Sequence, residues 1–246
     1  MRLFFIAFQF LTIIPLPFTI NWRDEREIGR AMALFPLVGL TLGAGLAGLD
    51  RLLSPYLAPG LSAALLLVVL AAVTGALHLD GVADVADGLA ARGDRERFLA
   101  VMKDSRTGAV GVVALVLLLL LKWQAIATLP VAVRWQGLLL APALGRFAMV
   151  AVAALARRAR VDGLGAACVA GAGWPQLITA MLLTATAGIT LLGHTGVTAL
   201  VVALVIGYGL RSYFHHRLGG ITGDIIGCAG ELSETAALIL IAALGT

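Results

Sequence analysis

Charge is scarce in this chain of 246 residues. Asp, Glu, Lys and Arg make up 13% of it, about half their share in a soluble domain. That shortage excludes an ordinary water-soluble fold. Cysteine is nearly absent as well. Cys168 and Cys228 lie in different segments, without zinc-site spacing or the numbers for a disulfide framework. They read as small apolar packing residues. No stretch alternates polar and apolar residues over the roughly ten positions of a membrane barrel strand, so the spanning elements are helices. There is no internal repeat. The opening MRLFFIAFQFLTIIPLPF lacks a small-residue cleavage site, and Pro15 and Pro17 interrupt its apolar run. An interfacial or re-entrant helix, kept in the mature protein, is expected there.

Apolar residues, by contrast, fill 60% of the chain, and mean hydropathy is +0.98. Seven segments approach the roughly 20 apolar residues that cross a bilayer as a helix. They are 31–49, 61–79, 110–129, 135–155, 177–192, 197–214 and 225–244. The fifth is short, and the seventh carries Glu231 and Glu234. The expectation is an all-α polytopic membrane helix bundle of six to seven transmembrane helices, forming one domain over residues 1–246.

The basic residues set the orientation. With a cytoplasmic N-terminus, 14 of the 18 fall inside: Arg2, Arg23, Arg26, Arg30, Arg92, Arg95, Arg97, Lys103, Arg106, Arg157, Arg158, Arg160, Arg211 and Arg217. The alternate loops hold Arg134, with Arg51 close by. The positive-inside rule then gives a multi-pass protein of the inner (cytoplasmic) cell membrane. The lipid bilayer is its evident partner, no nucleic acid is implied, and a homo-oligomer stays open.

Acid is concentrated where it is costly. The segment LHLDGVADVADGL, 77–89, directly follows an apolar run and carries Asp80, Asp84 and Asp87 at i, i+4 and i+7. On a helix these form one stripe without an interleaved base. Three adjacent carboxylates repel one another unless a cation sits between them. Hard oxygen donors favour Mg²⁺, or Mn²⁺, over Zn²⁺. A second cluster, GGITGDIIGCAGELSE at 219–234, puts Asp224, Gly227 and Glu231 on one helical face, with Glu234 one turn on. Glycines such as Gly220 and Gly223, beside Thr222, let backbone N–H groups approach an anion. Thr222 also suits a helix cap. Both clusters are expected at the cytoplasmic face, sharing metal ligands Asp80, Asp84, Asp87 and Asp224.

Between them, MKDSRTG at 102–108 adds Asp104 to the acids and Lys103 and Arg106 to the bases. With Arg92, these cations are candidates for phosphate oxygens. Arg146, deep in the fourth span, is expected to pair with a core carboxylate. Lys122 is expected to snorkel, and His215 and His216 to lie at headgroup level. His78 reads equally as ligand, general base or interface residue. Asp104, Glu231 and His78 are alternative acceptors for a substrate proton. Acid for metal, base for phosphate and glycine for close approach together read as a phosphoryl-transfer site at the membrane surface.

These segments resemble the bacterial cobalamin synthase family, adenosylcobinamide-GDP ribazoletransferase. The resemblance rests on FLTIIPLP at 10–17, LHLDGVADVADGL, MKDSRTGAVG at 102–111, Gly145-Arg146 and GGITGDIIGCAGELSE, and runs nearly end to end. It implies a Mg²⁺-requiring membrane enzyme whose substrates are adenosylcobinamide-GDP and α-ribazole or its 5′-phosphate. The products would be adenosylcobalamin, or its 5′-phosphate, and GMP. It further implies attack by the ribazole 3′-hydroxyl on the cobinamide-linked phosphorus. A second resemblance is partial. DVADGLAAR at 84–92 fits the first half of the CDP-alcohol phosphatidyltransferase motif, but Val101, Ser105 and Ala109 break the second half. A cation- or proton-coupled transporter is the alternative from another class; it would more often bury its carboxylates near the midplane in paired repeats.

Overall fold

A computed structural model describes residues 1–17, 24, 26–104, 106–160 and 163–245. Arg23, counted above for orientation, and Ser105, used against the phosphatidyltransferase motif, lie outside the described residues. The elements among the described residues are helices: α1 Arg2–Leu11, α2 Arg26–Ala31, α3 Phe35–Leu53, α4 Pro59–Thr74, α5 Leu77–Ala90, α6 Arg95–Val101, α7 Ala109–Ala127, α8 Arg134–Ala153, α9 Leu164–Gly171, α10 Trp174–Leu218 and α11 Gly223–Leu244. Among the described residues, five helical runs are long and apolar enough to cross a membrane: Arg26–Leu53, Ala109–Ala127, Val131–Ala153, Trp174–Leu218 and Gly223–Leu244. The pair α4–α5 makes a sixth if counted as one broken span.

The longest run is two helices. Gly193 takes φ 53°, ψ −125° inside it, a conformation open to glycine. A Cβ on Gly196 would lie 2.6 Å from the carbonyl carbon of Gly188. Residues eight apart touch only if the helix doubles back, so α10 is a hairpin. Its two limbs are the 177–192 and 197–214 spans of the sequence.

The segment 61–79 behaves differently from the single span expected. Gly75 and Ala76 both adopt left-handed backbone, φ 62° and 55°, and this ends α4. The chain turns 91° into α5. The acidic stripe therefore rides on a helix lying across the end of α4 rather than continuing it.

Helix α8 is the most buried span and packs against α3, α10 and α11. Close approach comes from small residues, as is common between membrane helices. A Cβ on Gly39 of α3 would meet the Cα of Ala143 at 2.5 Å, and one on Gly43 the Leu138 carbonyl at 2.7 Å. The short α1 cannot span; Phe10 stacks on Phe35 at 5.7 Å, and Arg2 pairs with Glu27 at 3.0 Å. Helix α5, helix α6 and the segments 154–160 and 218–222 share one end. Guanidiniums staple that end together: Arg95 donates to the carbonyls of Leu218 and Ala159, Arg160 to that of Leu99, and Arg217 to that of Gly93. At the opposite end Arg134 clasps Asp50, at 2.7 and 2.8 Å.

Lys122 corrects the snorkelling expectation. It is 2% exposed, and its Nζ donates to Glu231 at 2.6 Å and to Glu234 at 3.0 Å. Two buried carboxylates within reach outweigh the route to the surface. Arg146 finds the core carboxylate expected of it, pairing with the other oxygen of Glu234.

Candidate active site

Helices α5 and α11 cross where both carry glycine. A Cβ on Gly81 would meet the carbonyl oxygen of Asp224 at 2.6 Å, and one on Gly227 the Cα of His78 at 3.2 Å. This crossing sets the start of α11 against the stripe on α5. Asp80, Asp87 and Asp224 are all close enough to act electrostatically on Asp84, opposed there by Arg160. Asp84 and Asp224, 140 positions apart in sequence, thus meet at one end of the bundle.

Each acid has its own surroundings. Asp80 is exposed, while Asp84 and Asp224 are half-buried. Asp224 faces the Arg160 guanidinium at 3.8 Å. Asp87 accepts the Gly108 N–H at 2.6 Å and the Gly111 N–H at 2.8 Å. Those donors belong to the start of α7, where backbone N–H groups have no partner within the helix. Asp87 therefore ties α5 to α7. Asp87→Ala is expected to lower stability by about 2–3 kcal/mol, the scale of losing hydrogen bonds to a charged acceptor. Thermal unfolding in detergent reads this, and an unchanged midpoint would remove Asp87 from the scaffold.

Thr222 caps α11, its Oγ1 accepting the Ile225 N–H at 3.4 Å. Before it, residues 219–222 run beside 157–159. The Ile221 N–H donates to the Arg157 carbonyl at 2.8 Å, and the Ala159 N–H to the Ile221 carbonyl at 3.0 Å. Gly220 is buried against that neighbour, where a Cβ would lie 2.5 Å from the Arg157 oxygen. Its close approach is to protein backbone. Gly223 makes the same kind of contact with Gly165.

This platform closes one side of a cavity of about 270 Å³. Phe10, Leu77, Met149, Cys168 and Ile226 give it apolar walls, and His78, Arg160, Thr222 and Asp224 give it polar ones. His78 is 4% exposed, and its Nε2 has no hydrogen-bond partner among the described residues. Arg160 is a residue that the sequence did not single out. It stood among several loop arginines, and no spacing set it apart.

Other expected site residues lie elsewhere. Glu231 and Arg146 belong to the buried ion cluster with Lys122 and Glu234. Arg92, Lys103, Asp104 and Arg106 sit exposed on the loop leading to Gly108. Arg106 bonds Asp104 at 2.7 Å, and that hydrogen bond holds the Asp104 carboxyl down at about 2. Cys168 is buried, which pushes its thiol up to about 12. That suits the packing role expected of it.

Among the described residues no three His, Cys, Asp or Glu side chains form a ready metal cage. The donor set still suits a hard ion. Asp80, Asp84 and Asp224 offer carboxylate oxygens within electrostatic reach of one another, with Arg160 as their opposing cation. A partial oxygen shell of this kind is what Mg²⁺ completes with water and substrate phosphates.

The family model described as cobalamin-5-phosphate synthase matches residues 3–242. The adenosylcobinamide-GDP ribazoletransferase of Geotalea daltonii is 52% identical over 245 residues, covering 100% of this chain and 98% of that protein. Proteins of the same name from Pseudomonas paraeruginosa and Pseudomonas aeruginosa are 44% and 43% identical, over 96% and 98% of this chain and 96% and 98% of their own lengths. No solved structure matches the chain. By sequence over nearly its whole length, the chain belongs to the cobalamin-5-phosphate synthase family.

Proposed function

We propose that this protein is an integral membrane transferase that joins the phosphorylated cobinamide of adenosylcobinamide-GDP to α-ribazole or its 5′-phosphate, releasing GMP. One observation carries the reading beyond family membership. Asp224, Arg160 and the unpartnered His78 Nε2 line one cavity, and Asp80 and Asp84 lie within electrostatic reach of that Asp224 and Arg160. A cavity of about 270 Å³ suits a bicyclic nucleoside and is far too small for a corrin ring. The acceptor therefore enters the cavity, and the corrinoid docks at its mouth, where the carboxylates lie.

A Mg²⁺ ion held by Asp80, Asp84 and Asp224, with Asp87 bracing the set, would neutralise charge on the diphosphate and its leaving oxygen. The chain's own groups do the rest. Arg160 holds a phosphate oxygen at the cavity mouth, and Arg92, Lys103 and Arg106 lie on the nearby surface loop to receive the nucleotide phosphates. The cavity walls orient the acceptor hydroxyl. As that oxygen bonds to the cobinamide-linked phosphorus, the phosphorus–oxygen bond to GMP breaks and the hydroxyl proton passes to His78 Nε2. Of the three candidate acceptors, His78 is favoured on geometry, since it alone lines the cavity and its Nε2 has no partner among the described residues. Glu231 is engaged with Lys122. Asp104 is bonded to Arg106 on the exposed loop and does not line the cavity.

Purified protein given adenosylcobinamide-GDP, α-ribazole and Mg²⁺ is expected to release GMP only when both organic substrates are present. His78→Ala is expected to lower that rate roughly a hundredfold, within the usual range for a general base. CMP release from CDP-diacylglycerol and an alcohol would instead support the phosphatidyltransferase reading.

The bundle end carrying this site faces the cytoplasm in our reading, because most of the chain's arginines gather there. A cysteine introduced at Asp94 in the inner membrane should react with impermeant thiol reagents in inside-out vesicles and stay unlabelled in intact spheroplasts. The reverse pattern would overturn the orientation.

A further inference from the structure

A second bay lies apart from the site just described and shares none of its lining. It measures about 530 Å³ and is walled by Leu155, Arg157, Tyr208, Arg211, Ser212, His215 and His216. No carboxylate lines it, and the cations beside His215 are Arg211 and Arg157. None of the ion pairs among the described residues involves Arg157 or Arg211. Two arginine cations thus share one concavity, beside two histidines, without a counter-charge. Like charges gathered this way repel one another, and a bound anion relieves that repulsion.

The bay is also built. Arg211 is fixed by donating to the Ala154 carbonyl at 2.7 Å and the Leu155 carbonyl at 3.1 Å. His215 Nε2 accepts the Arg157 N–H at 3.1 Å. These contacts leave Arg211 with further N–H donors and leave the Arg157 guanidinium without a hydrogen bond among the described residues. Ser212 and Tyr208 add hydroxyls.

Its position points to the ligand. The bay opens on the second limb of α10, at the bundle end where the basic loops lie. Val205, Tyr208 and Tyr213 on that limb are 63%, 65% and 49% exposed, so an apolar flank runs from the bay along the helix. Tyrosines at this level are typical of the membrane–water interface. A soluble phosphate compound needs no such flank, whereas acyl chains would lie along it. We infer that this bay binds the phosphate headgroup of an anionic phospholipid, with the acyl chains against α10. Arginine clamps phosphate oxygens bidentately, and basic pockets at the cytoplasmic ends of membrane helices suit such headgroups.

The test is native mass spectrometry of the full protein released from nanodiscs holding phosphatidylglycerol and phosphatidylcholine together. Wild-type protein should retain phosphatidylglycerol in preference to phosphatidylcholine. Arg157→Gln, which disturbs no side-chain contact described here, should cut that retention about fivefold, the scale expected for one cation at an anionic surface. Arg211→Gln should cut it at least as much, with the melting temperature measured alongside to separate binding from unfolding. Arg97→Gln, an exposed arginine at the same end and outside the bay, should retain the lipid as wild type does. Equal retention of both lipids, or retention untouched by Arg157→Gln, would overturn the proposal. Displacement of the lipid by millimolar inorganic phosphate would also overturn it, marking the bay as a soluble-anion site.

Discussion

Asp84→Asn protein is expected to insert and fold as wild type does, yet to release GMP a hundred- to a thousandfold more slowly. That is roughly the loss seen when one preorganised electrostatic group is removed from a transition state. The substitution keeps shape and removes charge at the centre of the acid cluster, where Asp80, Asp87, Asp224 and Arg160 all act. Asp224→Asn should bring a comparable loss, because the crossing at Gly81 seats its backbone beside the same turn of α5. If both acids serve one metal-supported step, the double substitution should cost far less than the product of the single effects. Multiplying losses would mean that the two acids serve separate steps. Full activity in Asp84→Asn, with unchanged Mg²⁺ dependence, would make the stripe structural and sink the composite site.

The helical, membrane-spanning class was readable because it rests on composition over a long window, where a few polar residues do not disturb the signal; the count of six to seven spans ran above the five, or six with the broken α4–α5 pair, among the described residues, where α10 is taken as one run. The meeting of the Asp80–Asp84 stripe with Asp224 was readable for a related reason. Topology alone places both at one end of the bundle, and the glycines at 81 and 227 let two helices touch there. Four features escaped because they depend on single residues or on depth. The turn at Gly75–Ala76 needs two consecutive left-handed residues, and alanine gives no warning of that conformation. Asp87 looks like the third ligand of a periodic stripe; that it reaches the α7 N-terminus follows only from how α5 and α7 pack. Lys122 looks like a snorkelling lysine in any hydropathy profile, since its carboxylate partners lie more than 100 residues away in sequence. Arg160 escaped because one arginine among many loop arginines carries no pattern.

The buried ion cluster gives the largest expected effect on stability. Glu234 accepts from Lys122 through one oxygen at 3.0 Å and from Arg146 through the other, and all three side chains are 2% exposed. Glu234→Gln keeps the volume but removes the charge on which both cations depend. Lys122 would retain Glu231, and Arg146 would be left charged in the core without its carboxylate. Breaking a buried pair from one side costs about 3–5 kcal/mol, because the abandoned charge remains desolvated. Thermal unfolding in detergent should therefore show Glu234→Gln as severely destabilised. Arg146→Met should cost less, since Lys122 still partners Glu234 once the guanidinium is gone. Combining Arg146→Met with Glu234→Gln should recover part of the loss, as expected for residues within one network. The alternative is a cluster that serves chemistry instead, for it adjoins His78, on which Arg146, Glu234 and Lys122 all act. In that case Glu234→Gln would unfold normally and lose GMP release, and the double variant would recover nothing. Stability and turnover measured on the same variants separate the two, because a scaffold defect lowers the amount of folded enzyme and leaves the rate per folded molecule intact.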